Sequence, residues 1–391
     1  MSFLHDFMSY NSGNECPKPY VLWTGYGLLS AAIGHKVYID LDYFFARCDT
    51  YIILIGPSGG RKTVAMTLGL DLLVEAMPDL NVSGDNETYQ GIITFLDTDA
   101  STRQYMQSGK LVDFKPYHIF AEELMDYLQL NPIAMVTFLT NVYGKKAYKY
   151  RLKGETRFIE NPYVTLLACS VPEWLTDQLK AKQFSEGYGR RAILVCHEGI
   201  VKCKPILTEE SKIARAACVK RLKEVESLAG QARLTPDAST YFWAWYLKDK
   251  APVGDIFLTN WHSTLHILVL KVALLSSISE SNDLVVTKSH IELAIGLLAE
   301  IQTQLPMVTS RMGKSETNEG NLYVLSVIKN AGGKILEKEL KMITFTHFRN
   351  SMEQYTSLRY LAETGQTITV TEKVNTVDRR FVCLPGNVRK I

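Results

Sequence analysis

The stretch "YIILIGPSGGRKTVAMTLGLDL", residues 51–72, decides how the rest of the chain is read. Its first five residues form an unbroken apolar run, the pattern of a strand buried on both faces of a parallel sheet. From Thr63 onward the apolar spacing becomes helical. Between the two lies Gly56-Pro57-Ser58-Gly59-Gly60-Arg61-Lys62-Thr63. Strand, glycine-rich turn and helix, in that order, aim backbone N–H groups and a helix N-terminus at a phosphate. Gly56, Lys62 and Thr63 stand in the register of the pattern G-x-x-x-x-G-K-[ST], with Arg61 in place of its second glycine. In this reading Lys62 reaches the β- and γ-phosphates of a nucleotide and the Thr63 hydroxyl sits on Mg²⁺. Position 61 lies near the helix start, where a residue with an outward side chain still offers its N–H. The competing reading is a glycine-rich turn that carries a surface lysine.

With 391 residues the chain has room for two or three domains. Hydrophobic residues make up 46% and charged residues 21%, ordinary for a globular protein. A net charge of +2 is too small to mark a nucleic-acid surface, so such a surface has to come from local clustering. The seven cysteines are scattered without a C-x-x-C pair, which argues against zinc and for a reducing cytosol. Cys196-His197 and Cys203 read as a strand end rather than a metal site. No signal peptide and no span of ~20 apolar residues is found, so neither export nor membrane insertion is expected.

The organisation follows from periodicity. Residues 1–50 hold an amphipathic helical stretch, Tyr20 to Ile33, and a strand at 36–40, expected to pack on the core. Residues 51–205 alternate apolar strands with helices, the signature of an α/β layer, with strands at 51–55, 117–121, 163–169 and 191–196. Residues 206–310 read as a helical lid. The polar run "SRMGKSETNEG" is the best linker. Residues 319–391 then read helix, short strand, helix, helix, hairpin, the winged-helix order. From Glu319 onward there are 11 Lys and Arg against 7 Asp and Glu. Arg349, Arg359, Lys373, Arg379 and Arg380 fall on the expected recognition helix and wing, where duplex phosphates could be met. A winged helix used only for protein contacts is the alternative.

Hydrolysis needs a carboxylate on a neighbouring strand. "YHIFAEELMDYL", residues 117–128, ends a strand in two acids. Glu122 stands where the Walker B aspartate holds Mg²⁺, and Glu123 where its catalytic glutamate orients water. Two acids favouring a helix N-terminus are the bland equivalent. Ser170, at the C-terminal tip of "NPYVTLLACS", is a candidate γ-phosphate sensor, or ordinary turn chemistry before a proline. In "FSEGYGRRAILV", Gly187 and Gly189 lead Arg190 and Arg191 into a strand. Spacing leaves open whether an arginine there acts on a neighbouring subunit's nucleotide or forms a surface ion pair. Between these motifs, "GKKAYKYRLKGETRF" interleaves Lys145, Lys146, Lys149, Arg151 and Lys153 with Tyr148 and Tyr150. Alternation suggests a hairpin turning near Gly154, either a surface for single-stranded nucleic acid or a solvated lysine-rich hairpin.

Taken in order, these motifs resemble a family of phage and mobile-element P-loop ATPases related to AAA+ and superfamily 3 replicative helicases. Members carry a "G-P-x-G-x-R-K"-like loop, so Arg61 matches family usage. Glu123-Leu124 and Leu128 match an "E-L…L" Walker B end, and Ser170-Val171-Pro172 a "T-x-P" segment with serine for threonine. Gly187 to Arg191 match "G-F-x-S-R", with Arg191 on the family arginine. The match spans roughly residues 15–310. His266 and Lys271 match part of the family's lid pattern, while the arginine that precedes it in the family is missing here. The resemblance implies an AAA+-like α/β P-loop ATPase core with a helical lid, and a hexameric ring that binds ATP and Mg²⁺ between subunits. It further implies single-stranded DNA at the basic hairpin in the pore, helicase or translocase action in phage or mobile-element replication, and residence in a bacterial host's cytoplasm. An ATP-switched replication initiator or helicase loader without unwinding activity is the other function these parts fit.

Overall fold

The computed structural model describes residues 2–84, 87–128, 131–152, 154–172, 175, 187–197, 199, 201–203, 205–248, 256–309, 316–348, 350–374 and 377–385. Contacts divide the chain into two compact units, Met1–Met312 and Gly313–Ile391. Each has its own apolar core.

The first unit is mixed α/β around a five-stranded sheet. In spatial order its strands are β4 (Arg103–Gln107), β5 (Lys110–Ala121), β8 (Pro162–Ser170), β3 (Tyr51–Ile55) and β9 (Ala192–Cys196). The pairs β5–β8, β8–β3 and β3–β9 are parallel, while β4 returns antiparallel along the first half of β5. Every residue of β3, β8 and β9 is buried, as continuous apolar runs with both faces covered must be. Beyond β4 on the same edge, Val82 bridges His118 in parallel.

Helix α2 (Lys18–Ile33) covers this sheet, and it corrects the amphipathic reading of residues 20–33. Thirteen of its residues are buried, because it is packed against β8, α3 (Lys62–Ala76) and the helices Glu209–Ser227 and Leu265–Glu280. An element enclosed on all sides has no solvent face to keep polar. Residues 206–309 are also tied closely to the N-terminal segment. Strand β1 (Val37–Asp40) pairs in parallel with β10 (Gly230–Leu234) and antiparallel with β2 (Phe45–Arg47), and β10 continues to β11 (Val285–Val286). This second sheet was not foreseen, since its partners are nearly two hundred residues apart. Among the described residues no helix is long and apolar enough to cross a membrane.

A two-stranded antiparallel hairpin, β6 (Ala147–Leu152) and β7 (Glu155–Glu160), leads into β8. In the second unit, helix Glu316–Asn330, strand β12 (Lys334–Leu336), helices Glu337–Thr344 and Ser351–Glu363, and the hairpin β13 (Ile368–Val374) and β14 (Val377–Cys383) follow one another. The three strands form one sheet in the order β12-β14-β13.

Candidate functional site

Loop 56–61 leaves β3 at the C-terminal edge of the parallel strands, where open α/β sheets collect ligands. Its conformation explains its sequence. Gly59 has φ +77° and Arg61 φ +62°, ψ +20°, so the backbone at 61 is left-handed. That is the geometry for which the general pattern uses glycine. Arginine holds it at a strain of about 1–2 kcal/mol, anchored by contacts with the N-terminal segment. Its Nη2 and Nε lie 2.5 and 2.9 Å from Glu15 Oε2, and the Cys16 thiol donates to the Arg61 carbonyl at 3.7 Å. Gly56 is required for a different reason. A Cβ there would collide with the Tyr20 hydroxyl and come within 2.5 Å of His197 O. That hydroxyl sits 2.7 Å from Ile55 O and 3.0 Å from His197 O, fastening α2 to the ends of β3 and β9.

Lys62 opens α3 and is only 7% exposed. Its ammonium folds back on the loop, donating to Gly56 O at 2.7 Å and Pro57 O at 2.8 Å. No side chain of Arg61 caps α3. Pro57, Ser58, Gly59 and Gly60 complete the loop, with Ser58 and Gly59 exposed. Thr63 hydrogen-bonds the Cys169 thiol, whose pKa burial pushes up to about 12. Ser170 is fully buried, its carbonyl accepting from Gly56 N at 3.2 Å and its hydroxyl donating to Val171 O at 3.3 Å.

The two acids beyond β5 part company. Glu122 is exposed. Glu123 is half-buried, and its Oε1 is enclosed without a hydrogen-bond partner. Burial raises its carboxyl above the ordinary value, opposed by the Lys62 ammonium and by the Met125 N–H. A desolvated carboxylate with an unused oxygen beside a lysine on a loop, a threonine hydroxyl within the same cluster, can orient water or reach a hydrated cation. Among the described residues no group of three or more His, Cys, Asp or Glu could hold a metal ion by itself. Mg²⁺ needs no such cage, since it is commonly held by one or two protein oxygens, substrate phosphates and water. Thr63 and the two acids fit that donor set.

One element of the site escaped sequence reasoning. Beside the loop opens a cavity of about 790 Å³, lined by Asn14, Cys16, Pro17, Lys18, His197 and Val201 among others. No local signal marks it, because it forms where the N-terminal segment meets the residues after β9.

Arg191 lies at the other end of the molecule's strands. Ala192 pairs with Tyr51, four residues below the loop end of β3, about 13 Å at ~3.3 Å per residue. Its guanidinium donates to Gly187 O at 2.6 Å and lies 5.7 Å from the Tyr143 ring centre. Burial and neighbouring Arg190 both lower its pKa. Lys271 has no part in the loop. It is buried under the Tyr143 ring and donates to Asp49 O at 2.6 Å and Oδ1 at 2.8 Å. Burial alone would lower its pKa, but Asp49 and Tyr143 outweigh it and leave the ammonium's pKa raised.

On the basic hairpin, Lys145, Lys146, Lys149 and Arg151 are exposed, and Lys153 lies outside the described residues. The interleaved tyrosines are not. Tyr148 packs edge-on against Phe138 and Tyr150 against Tyr89, because alternate residues of a strand face opposite ways. The exposed aromatic of this hairpin is Phe158, directly across from Lys149. Lys146 lies 5.9 Å from the Phe45 ring centre. In the second unit Arg379 and Arg380 are exposed on β14, but Arg380 Nε lies 3.0 Å from Glu337. Arg359 is paired with Glu363 at 2.7 Å, and Arg349 lies outside the described residues. Comparison with protein-family models and with curated protein sequences gives no match.

Proposed function

We propose that the chain is a P-loop ATPase of the AAA+-like type with a C-terminal winged helix, working as a ring-forming, ATP-driven DNA helicase or translocase in phage or mobile-element replication. The observation that carries the nucleotide reading is the Lys62 ammonium, buried at the mouth of a left-handed glycine-rich loop and facing the partly desolvated Glu123. The strand order supports it too, with the carboxylate-bearing β5 one strand removed from β3 across β8. Bound MgATP supplies the phosphoanhydride that is broken. Lys62 would exchange the Gly56 and Pro57 carbonyls for phosphate oxygens, and the first N–H groups of α3 would face the same charge. Thr63 and Glu122 would hold Mg²⁺, Glu122 through water. Glu123 would accept the proton of the attacking water, and Ser170, at the tip of β8, would stand as the neighbour of the terminal phosphate. The cavity at Asn14 to Val201 has the volume for the base. Arg191 is too far along β9 to serve its own loop, which supports action on a neighbouring subunit. A hexamer is the assembly that follows from the resemblance.

The test is ATP hydrolysis with and without single-stranded DNA, followed by strand displacement. Wild-type turnover that survives Lys62→Ala removes the nucleotide reading. Hydrolysis without unwinding selects the second reading, an ATP-switched initiator or loader. One feature of the second unit is compatible with that alternative. The groove between helix Glu337–Thr344 and β14, about 1040 Å³, has its Arg380 already paired, and exposed Met342 and Phe345 border it. Such a face suits a protein partner as well as a duplex.

A further inference from the structure

The two faces of the β6–β7 hairpin differ sharply. Tyr148, Tyr150 and Ile159 face inward, and Ile159 is fully buried. Lys149, Arg151, Thr156, Phe158 and Glu160 face outward and are exposed. Phe158 keeps 54% of its surface in water although the neighbouring inward positions bury apolar rings. It sits across from Lys149 and diagonal to Arg151, with Glu160 the acid at the hairpin's base, opposite Ala147. Lys149 and Arg151 are two residues apart on one strand, so both project from the surface that carries the ring. An exposed phenyl ring with two cations on the adjacent strand is an arrangement that can take a base on its face while phosphates meet the charges.

We propose that Phe158 is a base-stacking platform, with Lys149 and Arg151 beside it on the neighbouring strand, through which the hairpin holds single-stranded nucleic acid by its bases as well as its phosphates. This deepens the DNA reading of the hairpin and rests on it, but it is independent of ATP. Binding is therefore measured without nucleotide, by fluorescence anisotropy, on a homothymidine oligonucleotide and on the same oligonucleotide made abasic. Failure of the ATPase assignment would leave these measurements unaffected.

Stacking of one base contributes about 5- to 150-fold in affinity. The wild-type protein should prefer the intact strand by a factor in that range, and Phe158→Ala should lose the preference while binding the abasic strand equally well. Phe158→Trp should restore the preference and Phe158→Leu should not. The salt slope should be unchanged in Phe158→Ala and smaller by about 0.7 in Lys149→Ala. Phe158 is exposed, so circular dichroism and melting should match wild type in every variant. The proposal is overturned if wild type does not distinguish the two strands, or if Phe158→Ala keeps the distinction. It is equally overturned if Phe158→Ala changes only the oligomeric state, which would make the ring a subunit contact.

Discussion

At residue 61, arginine stands in a left-handed conformation that glycine adopts freely, and its side chain is turned away from the loop to Glu15. The charge at 61 therefore points off the loop, whereas the charge at 62 is folded onto it. Arg61→Gly should leave ATP affinity within about threefold of wild type, since relief of roughly 1–2 kcal/mol of strain is set against the lost ion pair. Lys62→Ala should lower hydrolysis by about 10² or more with the fold intact. Equilibrium binding of a fluorescent ATP analogue and steady-state turnover separate the two variants. Comparable loss in both would mean that the arginine itself contacts the nucleotide. Glu123 yields a pH prediction. A carboxyl raised by burial stays protonated to higher pH than its ordinary 4.5, and the protonated form cannot accept the water's proton. The acid limb of the kcat/KM profile should thus lie above pH 4.5. Glu123→Gln should slow hydrolysis about 10² to 10⁴-fold and abolish that limb while ATP still binds. A limb that persists in Glu123→Gln would shift the role of base to Glu122.

Among the elements, helix Leu265–Glu280 carries a charged residue in an otherwise enclosed stretch. Lys271 is 3% exposed and bound to Asp49, two residues before the start of β3. This pair fastens the helical region to the strand that leads into the loop. Removing one partner strands the other charge in the core, so Lys271→Met should destabilise the protein by about 3–5 kcal/mol. Asp49→Leu combined with Lys271→Met should recover most of that loss, because a well-packed apolar pair can replace a buried ion pair. Chemical denaturation of the two single variants and the double variant measures the coupling. Strict additivity would mean that the two charges are stabilised independently. If Lys271 instead touched nucleotide, the double variant would regain stability and still bind ATP poorly.

For the whole molecule, the separate cores of residues 3–305 and 324–382 imply that the first unit folds alone. Arg191, at the end of β9 remote from the loop, can act on a nucleotide only if a second copy brings its loop there. Arg191→Ala and Lys62→Ala proteins should each be inactive alone. Mixed under conditions where subunits exchange, they should regain part of the DNA-stimulated hydrolysis, at sites built from one intact half of each. Absence of recovery with exchange verified would make Arg191 a structural residue that braces Tyr143. Residues 1–312 alone should keep basal hydrolysis, and loss of it would tie the second unit to the ATP site.

Several parts of this protein could be read directly from the chain because they are local. The apolar run 51–55, the turn residues after it and the helical spacing from 63 are set by dihedral preference and periodicity within about twenty residues. So are the basic alternation at 145–151 and the helix and hairpin rhythm after residue 319. What depended on the fold is what depends on distant partners. Periodicity indicated that alternate residues of β6 face opposite ways, but not which side the core occupies. Only the packing of Phe138 and Tyr89 turned the tyrosines inward and left Phe158 outside. The same holds for Glu123 over Glu122, for Lys271 as partner of Asp49, and for β1 beside β10. A residue's environment is fixed by contacts across the chain, and these appear only once long-range packing has closed around it.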